Sequence, residues 1–308
     1  MINYYHSESG RLCPVKDPQV GCWISVIDPT PQEIKILIDD FKLDSGFVKS
    51  SLDEEESSRI EREDDQTLII VDAPVSSTDS DDTQIFYTMP IGIIITEKNV
   101  ITISLHGSQL IDEAVRGTIR NLRPSFKTRF VLQLLLRIAA LFLYYLKQID
   151  KLSSVAEQQL HNAMKNELLM QLLALEKSLV YFSTSLKANE ATIEKIYRGR
   201  VMKLYDEDQD LLEDVLIEMK QAIEMASIYT GILSSMTEGF SSVISNNLNI
   251  VMWRLTTVTI IMQIPNIIFA FYGINTVDLP LPFTWFPILL AVVSTIAAVI
   301  ILWKWKKS

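Results

Sequence analysis

The chain has 308 residues, 48% hydrophobic and 21% charged, with a net charge of −10. That balance leaves no basic surplus to neutralise phosphates, so a nucleic-acid partner is excluded. Two cysteines (Cys13, Cys22) and three scattered histidines (His6, His106, His161) make neither a disulfide framework nor a four-ligand zinc site nor a histidine-built metal centre.

The charge is segregated. Residues 1–100 hold 20 acids and 8 bases, whereas residues 101–308 hold 18 acids and 20 bases. The first third therefore reads as an acidic soluble module, and the apolar excess lies beyond it. The opening MINYYHSESG has no basic flank and no apolar core, so no secretory signal is expected.

In chain order, residues 21–28 (GCWISVID) read as a strand. Pro29-Thr30-Pro31 then opens a helix to about Phe41, with Ile34, Leu37, Ile38 and Phe41 on one face. Eight acids fall within residues 53–56 and 61–65. They read as a solvated helix face and loop, or as a weak surface site for divalent cations. Residues 67–71 (TLIIV) read as a buried strand, residues 76–82 (SSTDSDD) as a turn cluster, and residues 91–96 and 100–105 as a hairpin. Everything after about Ser108 reads helical, which predicts an α/β module followed by long helices. Residues 131–146 are apolar but span only 16 positions and contain Gln133 and Arg137. They predict a helix buried against the soluble module and not a membrane crossing. His106 and His161 read as ordinary domain residues.

Residues 204–272 contain a single proline, Pro265, and few glycines, so they predict one helix of about 100 Å at 1.5 Å per residue. Stepping by three and four from Leu212 gives Val215, Met219, Ala222, Ala226, Tyr229, Leu233, Met236, Phe240 and Val243, an unbroken apolar seam. The other face runs Ile217, Gln221, Glu224, Ile228, Gly231, Ser235, Glu238, Ser242, Ser245 and Asn249, mostly polar or small. It continues in phase as Met252, Thr256, Thr259, Gln263, Asn266, Ala270 and Gly273.

Residues 255–272 and 286–303 are each 18 positions without a charge. At about 27 Å each matches a hydrocarbon core, and a charge at mid-bilayer costs roughly 3 kcal/mol or more. Trp253, Trp285, Trp303 and Trp305 flank the runs as interfacial anchors. The linker of residues 273–285, with Pro280 and Pro282, allows a hairpin. The basic tail KWKKS places itself, and by two crossings the N-terminal part, in the cytoplasm. Within the first run, the polar stripe has two readings. It is glue between helices, or it lines a watered path. Continuation of the stripe for many turns below the membrane favours the path. One helix encloses no pore, so the path requires several copies about an axis. Neutral oxygens do not strip a divalent ion cheaply, and Mg2+ dehydrates reluctantly, so the ion is expected to pass hydrated.

Tyr272-Gly273-Ile274-Asn275, directly after the first run, resembles the Gly-Met-Asn signature of the CorA superfamily of divalent-cation channels. Residues 245–252 (SNNLNIVM), Trp23 on its strand, residues 61–74 (EREDDQTLIIVDAP) and residues 167–177 (ELLMQLLALEK) are similar to family patterns, so the resemblance covers nearly the whole chain. It implies a homopentamer in a cell membrane, with an αβα cytoplasmic domain and one stalk helix per subunit entering the pore. The domains expected are an α/β cytoplasmic domain (1–125), cytoplasmic helices (126–203) and a stalk (204–272) that becomes the first transmembrane helix at about 252–272. An outer loop (273–285), a second transmembrane helix (286–303) and a cytoplasmic basic tail (304–308) follow.

By resemblance Asn275 forms the outer ring that binds the hydrated ion, Asn249 the inner pore amide, and Met252 and Leu255 the surroundings of a hydrophobic gate. Glu238 stands at the cytoplasmic mouth, and Asp214 is a regulatory cation ligand between subunits. The Gly-Ile-Asn variant is similar to the ZntB branch associated with zinc. Gln263 and Asn266 stand where the family usually has apolar or hydroxyl side chains. Without the family, Asn275 reads as a helix cap; Pro265 reads as a mild kink or a broken-helix site, and Asp278 as a solvated loop acid or one that raises local cation concentration. The function expected is divalent cation transport, most of all of Mg2+, with Co2+ or Ni2+ as further substrates and closure by cytoplasmic divalent cation. The alternatives are a ZntB-type zinc transporter and a membrane-anchored sensor or scaffold without conduction. No enzymatic motif and no enzymatic cofactor is expected.

Overall fold

A computed structural model describes residues 1–8, 11–78, 84–163, 166–199, 202, 204–273, 283 and 285–307. Its strands are Ile2–Glu8 (β1), Arg11–Val15 (β2), Trp23–Ile27 (β3), Arg59–Glu63 (β4), Gln66–Thr78 (β5), Gln84–Ile95 (β6) and Val100–Ser104 (β7). They form one sheet in the order β2-β1-β3-β7-β6-β5-β4. β3 and β7 pair in parallel, and the other neighbours pair antiparallel. The helices are Pro31–Asp39 (α1), Ser45–Ser50 (α2), Gln109–Val115 (α3), Lys127–Ala163 (α4), Asn166–Tyr197 (α5), Asp206–Tyr272 (α6) and Phe286–Lys307 (α7). The chain divides into two units, Met1–Thr237 and Glu238–Ser308.

In the first unit both sheet faces are covered, because alternate side chains of a strand leave on opposite sides. On one side Ile24, Val26, Leu68, Ile70, Ile94, Ile101 and Ile103 form a core with Leu37 of α1 and with Phe47 and Val48 of α2. A capping box holds the start of α1. Glu33 N–H donates to the Thr30 hydroxyl at 3.3 Å, and Thr30 N–H donates to the Glu33 carboxylate at 2.8 Å. α2 lies so close to β6 that a Cβ at Gly92 would stand 1.9 Å from Ser51 Oγ, which only glycine permits.

The other face carries α4 and α5. The Trp23 ring packs tilted against Phe130 at 5.6 Å, and its indole N–H donates to Thr102 Oγ1 at 2.9 Å. Phe86, Phe142 and Phe182 complete the aromatic layer, with Phe142 edge-on to Phe182 at 5.1 Å. α4 is long and apolar enough for a membrane, yet 67% of its most apolar window is buried. Arg137, the charge inside that run, pairs with Glu113 of α3 and holds the Glu113 carboxyl below the usual range.

β5 extends past the end of β4, whose register finishes at Arg59 opposite Ile70. There the Asn189 side chain of α5 completes the edge. Its Oδ1 accepts from Asp72 N–H at 2.9 Å and from Ser58 Oγ at 2.8 Å, and its Nδ2 donates to the Asp72 carbonyl at 2.8 Å.

Several expectations change. β1, β2, β4 and α2 were not read from the sequence. Glu61 to Glu63 lie on the edge strand β4, not on a helix face or loop. Their acids are partly neutralised there, since Arg59 pairs with both Glu56 and Glu61. Ser76 to Thr78 finish β5 and are not a turn, and residues 79–82 of that stretch lie outside the described residues.

Candidate ion pathway

In the first unit, the α6 seam is buried at Leu212, Val215, Met219, Ala222, Ala226 and Leu233. Tyr229 and Met236 are half-buried. Polar contacts tie this part of α6 to α4 and α5: Arg129 pairs with Glu207 at 2.8 Å, and Ser234 Oγ donates to Glu176 at 2.5 Å. In the second unit the seam runs out. Phe240 is half-buried, and Val243 is exposed.

The opposite stripe behaves differently. Ile217, Gln221, Glu224, Ile228, Gly231 and Ser235 are all exposed in the first unit. In the second unit Glu238, Ser242, Ser245, Asn249, Met252, Thr256, Thr259, Gln263, Asn266, Ala270 and Gly273 are exposed too, as is Leu255. The sheltered positions of the apolar end of α6 are Thr257, Ile261, Ile264, Pro265, Ile268 and Tyr272. At 3.6 residues per turn the two sets lie on opposite sides of the helix. The shelter is consistent with α7, where beyond the half-buried Phe286 at its start the sheltered residues also share one face: Pro287, Ala291, Ser294, Thr295, Ala298 and Leu302. The Tyr272 and Phe286 rings stand 6.3 Å apart. Small residues on the α7 face permit close helix approach. Ser294 and Thr295 hide their hydroxyl protons on the carbonyls of Leu290 and Ala291, both at 2.6 Å. This small-residue face went unread in the sequence, although its spacing is legible there.

The hydroxyls of the stripe are also spent as donors. Thr256 Oγ1 donates to the Met252 carbonyl and Thr259 Oγ1 to the Leu255 carbonyl, each at 2.8 Å. What remains outward is oxygen lone pairs. Pro265 sits within a helix that continues through it to Tyr272. Trp253, Trp285 and Trp303 are exposed near the ends of the two apolar segments. Ile274, Asn275 and Asp278 lie outside the described residues. Asp214 is exposed on α6. Among the described residues no three His, Cys, Asp or Glu side chains converge as a metal site. His106 stands exposed near Glu54 at 4.0 Å. The side chain of His161 lies outside the description.

An α/β unit followed by a 67-residue helix with an apolar end and a second apolar helix, both long and apolar enough to cross a membrane, is the architecture of a membrane protein. The profile of the family described as CorA-like Mg2+ transporter protein matches residues 18–307. The chain belongs to that family of divalent-cation transporters, which are not enzymes. It is 29% identical over 268 residues to the cobalt/magnesium transport protein CorA of Methanocaldococcus jannaschii, covering 84% of this chain and 81% of that one. The complete CorA magnesium transporter structure from Methanocaldococcus jannaschii superposes with a TM-score of 0.78 at 24% identity, over 98% of this chain and 96% of the other. The fold is also similar to the ZntB cytoplasmic domain from Vibrio parahaemolyticus, with a TM-score of 0.60 at 13% identity, over 80% and 97% of the two chains.

Proposed function

We propose that this chain carries Mg2+ across a cell membrane through a homopentameric pore lined by the α6 stripe. The observation that carries the reading is the stripe itself. Thr256, Thr259, Gln263 and Asn266 are exposed on the side of the helix opposite to its sheltered positions. Polar side chains facing lipid cost free energy, so their natural covering is a shared aqueous axis between copies of the chain.

The chemistry suits a hydrated cation. Inner-shell waters of a divalent ion point their hydrogens outward and need acceptors. Thr256 and Thr259 offer only lone pairs, because their protons are engaged on the helix backbone. Gln263, Asn266 and Asn249 add amide oxygens. Mg2+ keeps several waters in most protein sites, so it is the ion that such a lining serves best. In this reading Tyr272, Gly273, Ile274 and Asn275 form the outer mouth, with Asn275 binding the hydrated ion in a ring. Met252 and Leu255 flank the gate, and Glu238 concentrates cations at the cytoplasmic mouth. Asp214 binds regulatory cation together with acids of a neighbouring subunit. Both termini are cytoplasmic, since the tail after Trp303 is basic.

The second reading is zinc transport, favoured by Gly273-Ile274-Asn275. Against proton coupling, residues 255–272 and 286–303 contain no Asp, Glu, His or Lys to relay a proton. Flux into proteoliposomes decides between the readings, with Mg2+, Co2+, Ni2+ and Zn2+ compared with and without a proton gradient. Mg2+ entry without a gradient, abolished by Asn275→Ala in an oligomer of unchanged size, is the expected result. Entry of Zn2+ alone favours the second reading, and full Mg2+ flux in Asn275→Ala refutes the outer ring.

A further inference from the structure

The first unit contains a cavity of about 1110 Å³ bounded by the edge of the sheet, the entry into α4 and the first turn of α6. We propose that it binds a phosphate-bearing ligand of the nucleotide class, held by Arg62 and Arg123.

The argument starts from the charges in the wall. Arg62, Arg123, Lys127 and Arg129 line it, together with Asp206, Glu207 and Asp208. Most of these are committed. Arg129 pairs with Glu207 at 2.8 Å. Lys127 Nζ donates to the carbonyls of Thr96 and Glu97 at 2.9 and 2.5 Å. Asp208 is 4% exposed and accepts from Tyr205 N–H at 3.3 Å. The side chains of Arg62 and Arg123 have no hydrogen-bond or ion-pair partner among the described residues. They come from separate elements, β4 and the segment before α4, and they line one concavity. A guanidinium presents a rigid fork of donors that matches phosphate oxygens two at a time, and two such forks suit a polyphosphate. Asp206 is the one acid of the wall without such a commitment among the described residues, so the free charge of the wall is basic.

The second feature is aromatic. Phe126 lines the same cavity with 60% of its surface exposed. An uncovered ring in the same wall as two guanidinium groups is a platform on which a base stacks, and stacking contributes about 1–3 kcal/mol per base. The volume is of the order of sites that take cofactor-sized ligands. Phosphate alone explains the arginines, and only a nucleotide uses the ring as well.

Isothermal titration of the full-length protein in detergent, at fixed salt and without divalent cation, uses ATP and pyrophosphate as separate probes. Saturable ATP binding is expected, weakened about tenfold or more by Arg62→Gln and by Arg123→Gln. Phe126→Ala is expected to weaken ATP while leaving pyrophosphate unchanged. Both arginines are exposed, so the thermal midpoints of the unliganded variants should equal that of the parent. Absence of saturable ATP binding at millimolar concentration overturns the proposal, as does unchanged affinity in the double arginine variant. Pyrophosphate binding as tightly as ATP overturns the nucleotide assignment. No flux is read, so the outcome is independent of the transport reading.

Discussion

Asp72 illustrates how one side chain records its surroundings. Burial between β5 and α5 raises its carboxyl pKa above the ordinary 3.8, while the hydroxyls of Ser185 and Ser58 pull it down. A raised folded-state value means that the folded protein holds the proton more tightly than the unfolded chain. The associated stability is complete below the ordinary value and is lost as pH rises through the folded value. Asp72→Asn should therefore gain thermal stability relative to the parent as pH climbs from about 4 to neutrality, read as the difference in unfolding midpoint across that range. A constant difference at every pH would contradict it. Asp214 sits at the other extreme, exposed on α6. Its proposed role is in cation-dependent closure, so Asp214→Ala should shift closure in liposomes to higher Mg2+. Unchanged closure across millimolar Mg2+ would leave Asp214 a solvated acid.

At the scale of the element, α6 is governed by two periodic faces with different fates. The apolar seam from Leu212 to Leu233 is buried at every step but the half-buried Tyr229, as its spacing predicts. The polar face is exposed along its length, and the sheltered positions near the apolar end lie diametrically across from it. Replacing Thr256, Thr259, Gln263 and Asn266 together by Leu should abolish ion flux while the protein still inserts. Retained flux in that variant decides against the pathway, and absence of flux in the parent as well as the variant is the outcome a non-conducting scaffold gives. α4 shows why apolar composition alone misleads. Its most apolar window satisfies the length and hydropathy of a span, but Arg137 has a partner in Glu113 and its apolar residues have an aromatic layer to meet.

For the whole molecule, the proposed arrangement is a closed ring of identical copies with both termini on the cytoplasmic side. Light scattering of the detergent complex should give the protein mass of five chains. Reporter fusions at either end should both read as cytoplasmic. A monomer, or termini on opposite sides, would leave the stripe without an axis to line.

The α/β start, the switch to helices after Ser108, the capped α1, the seam and stripe of α6 and the two apolar runs were legible because each rests on local periodicity, capping or run length. The family resemblance was legible in Tyr272-Gly273-Ile274-Asn275 and its placement. β1, β2 and β4 were not, since edge strands carry weak alternation and are defined by their partners. The same holds for Asn189 closing the edge of β5, for Gly92 admitting Ser51, and for Arg62, Arg123 and Phe126 meeting at one cavity. Those residues are far apart in the chain, and only tertiary packing brings them together. Sequence determined which faces are apolar and which are polar. The folded chain decided which of those faces it covers itself, because burial is a property of neighbours that no local pattern names.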